Sequence, residues 1–120
     1  MDTLGHMNNA AYLSLYEEAR WEFITLRGFG VEQMRARQLG PVILECKIKF
    51  LREIRLRDKI KITVKLLDYK GKVGHLEQKM VFPEGSVASE AIFTFALFDL
   101  RQRCLVEPTP EWARAVGLRD

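Results

Sequence analysis

A chain of 120 residues fits one domain, taken here as 1–120, large enough to bury a core without disulfides or a structural metal. Hydrophobic residues make up 48% and charged residues 29%, with a formal net charge of +3 and the basic residues scattered among acids. That pattern argues against nucleic acid as a partner, and no apolar run is long enough to span a membrane.

The two cysteines, Cys46 and Cys104, lie in no metal-binding spacing and make no disulfide framework. With no signal peptide visible, they read as reduced thiols of a cytoplasmic protein. Cys46 alternates with charged residues and is expected to point into the core.

The first element is a helix, roughly Asn9 to Arg27. Asn8 and Asn9 are good N-cap residues, and Tyr12, Tyr16, Ala19, Phe23 and Leu26 follow at spacings of four and three. Glu17, Glu18 and Glu22 lie off that stripe, and Gly28 stops the helix. The stretch VEQMRARQLG reads as a short helix or a loop. Strand character then dominates. In VILECKIKF, Cys46, Ile48 and Phe50 alternate with Glu45, Lys47 and Lys49. In KIKITVKL, Ile60, Ile62, Val64 and Leu66 alternate with lysines and Thr63. A Lys-Gly-Lys turn leads to VGHLEQKMVF, a third strand of weaker alternation. After the PEGS turn, ASEAIFTFALFDL reads as a long strand apolar on both faces. A short capped helix, TPEWARAVG, closes the chain with Pro110 near its first position.

One long helix followed by four strands joined by antiparallel-type turns is an α+β pattern, a sheet with the helix on one face. The last strand carries Ile92 and Phe98 on one side and Phe93, Phe95 and Leu97 on the other. Its second face is expected to be covered by another subunit, or else by the chain's own loops and tail helix.

The opening residues carry a resemblance. Asp2-x-x-Gly5-His6-Met7-Asn8-Asn9, then Tyr12, then Tyr16-Glu17-Glu18-Ala19-Arg20, resembles the signature of the hotdog-fold acyl-CoA thioesterases of the 4-hydroxybenzoyl-CoA thioesterase-like family. The resemblance implies a curved antiparallel sheet wrapped around the long helix. It also implies a homodimer or homotetramer with active sites at subunit interfaces, and acyl-CoA as substrate. Family members carry one more strand before the acid, so the fold's first strand is expected to be missing or truncated.

The chemistry of the motif fits thioester hydrolysis. A helix start offers free backbone N–H groups at the positive end of a dipole, and Gly5 lets the chain approach a ligand closely. By resemblance, Asp2 is the catalytic carboxylate, as nucleophile or as general base, and the Asn9 backbone N–H is the oxyanion donor. His6 is either a general base or orienting group, or a histidine that shapes the loop. Related enzymes carry Asp-x-Asn-x-His here, but Leu4 stands at the asparagine position. Asn8 either caps the helix or touches the thioester. Tyr12, Tyr16 and Phe23 read first as core, Glu17 as an acyl-end contact or a partner of Arg20. Lys70 and Lys72 match a basic segment that contacts the nucleotide in some family members, and Arg52, Arg55, Arg57 and Lys59 form a second basic cluster. His75 reads as an exposed strand residue. No metal site and no cofactor beyond the CoA of the substrate is expected. The alternatives are a non-catalytic hotdog module that binds acyl thioesters or assembles, and, last, a hotdog dehydratase or hydratase, whose motifs are absent.

Overall fold

The computed structural model describes residues 9–119 apart from Leu56. The expected site residues Asp2, Gly5, His6 and Asn8 lie outside the described residues. Helix α1 runs from Asn9 to Leu26 and α2 from Val31 to Arg37. Strands β1 (Leu39–Phe50), β2 (Lys61–Lys70), β3 (Val73–Val81), β4 (Val87–Asp99) and β5 (Cys104–Val106) follow, then α3 (Pro110–Val116). The strands form one antiparallel sheet in the order β1-β4-β3-β2. β3 pairs β4 only as far as Ala96, and β5 takes up the partners Leu97 to Asp99. This is the hotdog architecture, with α1 laid across the inner face of the sheet.

α1 stops where the sequence says it should. Gly28 adopts φ +97°, and its N–H donates to the Thr25 carbonyl while the Phe29 N–H reaches back to Ile24. That bond pair is a Schellman cap, with Phe29 and Ile24 both buried. The buried stripe of α1 is Tyr12, Tyr16 and Ile24, whereas Leu26, expected on that stripe, is 79% exposed. Helix periodicity explains the difference: with Ile24 on the buried stripe, Leu26, two residues or more than half a turn further on, faces away from the sheet. α3 is capped by Thr109, whose hydroxyl accepts the Trp112 N–H at 3.2 Å.

Register places four inner rows across the sheet. Ile62, Met80, Ser89 and Phe50 form one, and Val64, Gln78, Ala91 and Ile48 the next. Leu66, Leu76, Phe93 and Cys46 follow, then Tyr69, Gly74, Phe95 and Ile43. β3 buries every second residue (Gly74, Leu76, Gln78, Met80) and so alternates more strictly than its sequence suggests. β1 shows the reverse. Cys46 and Phe50 share the inner face but are exposed, so Cys46 does not enter the core. β1 is the edge strand of this sheet, and a bulge between Ile43 and Glu45 interrupts its pairing, so α1 covers its inner face only in part. On β4, Phe93, Phe95 and Leu97 are buried against the helices, while Ile92 and Phe98 on the outer face are half-buried. The tail helix packs on the inner side, where Trp112 meets Phe95, and does not cover the outer one. His75 lies on that outer face, partly exposed, with Nδ1 2.7 Å from the Asp68 carboxylate.

Candidate active site

Among the described residues α1 runs from Asn9, which is exposed. One turn on, Tyr12 is buried and anchors this end of the helix. Its ring stands edge-on to Phe50 at 4.9 Å, and its hydroxyl shares a hydrogen bond with the Ile54 backbone. Burial is the main cause that raises the Tyr12 pKa, and the Glu53 carboxylate adds to it. Tyr12 is therefore a neutral structural residue of the site's wall at ordinary pH.

A polar seam follows under the helix. The Tyr16 hydroxyl donates to Ser89 Oγ at 2.7 Å, and both residues are buried. Gln78, fully buried, donates through Nε2 to the Tyr16 carbonyl and accepts from Arg20 Nη1, both at 3.0 Å. The Arg20 guanidinium also lies 4.2 Å over the Phe93 ring. Burial pushes the Tyr16 pKa up and the Arg20 pKa down, the latter opposed by the nearby Glu17 carboxylate. Every buried side-chain polar atom among the described residues has a partner. Gln78 was not singled out in the sequence. Its only signal there is a polar residue at an inward position of a strand.

Beyond the seam lies an apolar cavity of about 240 Å³ between α1 and the sheet. Glu17, Arg20 and Trp21 line one side, and Ile24, Phe95 and Trp112 line the rest with neighbouring strand residues. Glu17 is exposed at its rim. Trp112 forms part of the wall near α3, held by a hydrogen bond from its indole to the Tyr69 hydroxyl at 3.1 Å and by ring contacts to Phe29 and Phe95. Gly74 makes this wall possible: the Tyr69 and Phe95 rings meet across it, 5.4 Å apart.

The two basic clusters fall at opposite ends of β2. Lys70 and Lys72, both exposed, flank the β2–β3 turn next to Tyr69 and α3. Arg52, Arg55, Arg57 and Lys59 lie between β1 and β2, beside the start of α1 through Phe50 and Ile54. The described residues hold no group of three or more metal-ligating side chains, and no helix among them is long and apolar enough to cross a membrane.

A family model described as "Thioesterase-like superfamily" matches residues 1–116. The chain belongs to the thioesterase-like superfamily. The long-chain acyl-CoA thioesterase FadM of Escherichia coli K12 is 35% identical over 102 residues, which cover 84% of this chain and 76% of FadM. The probable thioesterase YbaW of Escherichia coli superposes with a TM-score of 0.84 at 32% identity, covering 97% of this chain and 87% of YbaW. A Staphylococcus aureus protein solved in complex with CoA shares the fold with a TM-score of 0.91 at 19% identity, covering 98% of this chain and 75% of its own. Within this superfamily member, the structure brings Asn9, Tyr12 and the Arg52–Lys59 cluster to one end of α1. It sets Glu17 in the middle, at the cavity, and Lys70 and Lys72 at the far end.

Proposed function

We propose that this chain hydrolyses acyl-CoA thioesters to free acid and CoA. The observation that carries the reading is an apolar cavity under α1, two turns along the helix from the exposed Asn9. Its support is membership of the thioesterase-like superfamily and the likeness to FadM. Glu17 lies eight residues beyond Asn9, about 12 Å at the helical rise, so an acyl chain whose thioester sits at the helix start reaches the cavity. Arg20 and Gln78 hold α1 to the sheet between the two.

In the mechanism proposed, the thioester carbonyl oxygen takes a hydrogen bond from the Asn9 N–H, and that bond strengthens as the oxygen becomes anionic. One such donor contributes about 3 kcal/mol to the transition state. As general base, Asp2 takes a proton from water while the water oxygen attacks the carbonyl carbon. The tetrahedral intermediate then expels the CoA thiolate, which recovers the proton. As nucleophile, Asp2 attacks the carbon itself, expels the thiolate and forms a mixed anhydride that water cleaves. In this reading Gly5 and Asn8 are substrate contacts and His6 is either a general base or orienting group or a loop histidine, and no cofactor is needed beyond the CoA already in the substrate. Assembly as a homodimer or homotetramer is part of the same reading, supported by the half-buried Ile92 and Phe98 on the outer sheet face. A cytoplasmic setting is supported by the free, exposed thiols of Cys46 and Cys104.

The test is thiol release from a panel of aliphatic and aromatic acyl-CoAs, with wild type beside Asp2→Asn and Asp2→Ala. Loss of at least a hundredfold in kcat with the fold intact is expected for both. No turnover by wild type on any acyl group would favour the binding module instead, and folded variants as fast as wild type would displace Asp2 from the site. A single turnover in ¹⁸O-water separates the two roles of Asp2. The general base puts label directly into the released acid, while the nucleophile leaves label in the protein when water attacks the aspartyl carbonyl.

A further inference from the structure

Outside the acyl cavity, a second concavity lies between the loop 52–59 and the turn 82–84. It is a cleft of about 740 Å³, within the range that holds whole small ligands. Four cations line it (Arg52, Arg55, Arg57 and Lys59), together with the carboxylates Glu53, Asp58 and Glu84. The carboxylates are unevenly spent. Glu84 pairs Arg52 at 2.8 Å and also accepts from Ser86 Oγ, an arrangement that lowers the Glu84 pKa. Glu53 pairs Arg55 at 3.4 Å, and Asp58 accepts the Arg55 backbone N–H. Arg57 and Lys59 have no carboxylate within ion-pair distance among the described residues. Ile54, 3% exposed, anchors the loop in the core and fixes it against Tyr12, one turn from the start of α1.

We infer that this cleft takes the 3′-phospho-ADP end of coenzyme A, with Arg57 and Lys59 as the phosphate contacts; the inference rests on the acyl-CoA reading above. A substrate with its thioester at the helix start and its acyl chain directed toward Trp112 extends its pantetheine arm the other way. That way leads past Tyr12 to the cleft. The flat Arg52 guanidinium, stacked 4.4 Å over Phe82, is a cation of the kind that packs against an adenine ring. The Lys70–Lys72 turn sits at the opposite end of β2, ten residues or about 33 Å away, on the acyl side.

The experiment compares one acyl group carried on CoA, on pantetheine and on acyl-carrier protein. The enzymes are wild type, Arg57→Gln/Lys59→Gln and Lys70→Gln/Lys72→Gln, with 3′,5′-ADP binding followed by calorimetry. The Arg57/Lys59 pair of substitutions is expected to raise KM for acyl-CoA about tenfold, as loss of charge-assisted contacts predicts. It is expected to move KM for acyl-pantetheine much less and to weaken 3′,5′-ADP binding in parallel. An unchanged KM for acyl-CoA, an effect confined to the Lys70/Lys72 variant, or a preference for the carrier protein would overturn the inference. Should wild type cleave none of the three substrates, the activity reading fails on its own. Calorimetry then still decides the cleft: binding of 3′,5′-ADP that the Arg57/Lys59 variant loses supports it, and no binding refutes it.

Discussion

Gln78 is a fully buried amide under α1, and its replacement by leucine separates a structural hydrogen bond from mere proximity. The leucine has nearly the same size, so little cavity or strain term enters. What is lost is the acceptor for the Arg20 guanidinium and the donor to the Tyr16 carbonyl, each bond 3.0 Å long. A hydrogen bond to a charged group contributes about 1.5–3 kcal/mol. Arg20 is only partly buried and can turn to water, so the low end applies to it. The Tyr16 carbonyl keeps its helical partner, and that loss costs less. Gln78→Leu is therefore expected to destabilise by about 2 kcal/mol. Arg20→Met should cost a similar amount, since it strands the buried Gln78 Oε1 and removes the cation from over Phe93. The double variant should cost less than the two singles together, by about 1.5 kcal/mol, because the second substitution removes a partner already lost. Urea unfolding with unchanged m-values measures all three. Singles that add to within about 0.5 kcal/mol would show that Arg20 and Gln78 are neighbours without a shared energy, and the account of the seam would fail.

Two further outcomes follow from packing and burial. Gly74→Ala places a Cβ 2.7 Å from Phe95 Cζ and 2.9 Å from Tyr69 Cδ2, so it should cost about 1–3 kcal/mol in thermal or urea unfolding; a neutral result would contradict the ring pair across this strand. The tyrosines Tyr12, Tyr16 and Tyr69 all have pKa values raised from 10.0, chiefly by burial. A group whose folded pKa exceeds its unfolded one keeps its contribution below the unfolded value and loses it as pH climbs through the folded one. Urea midpoints followed across the alkaline range should thus begin to fall only above pH 10, whereas a fall tracking neutral pH would point to another group.

How much of this was legible in the sequence depends on where each signal is stored. Helix periodicity, the Gly28 stop and the Thr109–Pro110 start are local, and each element formed where its residues placed it. β5 was missed because three residues, Cys104 to Val106, carry no period. The third strand looked weak because Gly74 and Gln78 occupy inward positions. Each is explained only by a distant element: a ring pair from β2 and β4 in one case, an arginine from α1 in the other. β1 erred in the opposite direction. Its alternation is real and its inner face is the one expected, but alternation reports which way a side chain points and not whether anything covers it. At Cys46 and Phe50 the edge of the sheet has been reached.

The candidate site divides along the same line. Apart from Glu17, legible as an acyl-end contact, the cavity's lining residues could not be read, because they come from α1, α3 and four strands. The basic clusters show what topology adds. As text, Lys70–Lys72 and Arg52–Lys59 are equally plausible contacts for phosphate, since both are short cationic runs beside turns. They become different once β2 is laid out as a ten-residue strand with one run at each end. α1 crosses the same sheet with Tyr12 near one run and Trp112 near the other. A substrate with an apolar tail and an anionic head must lie along that axis in one of two senses. The apolar cavity under the second half of α1 selects the sense, and with it the run that meets the phosphates. Charge alone cannot make that choice, because both runs are cationic; the placement of the apolar space makes it.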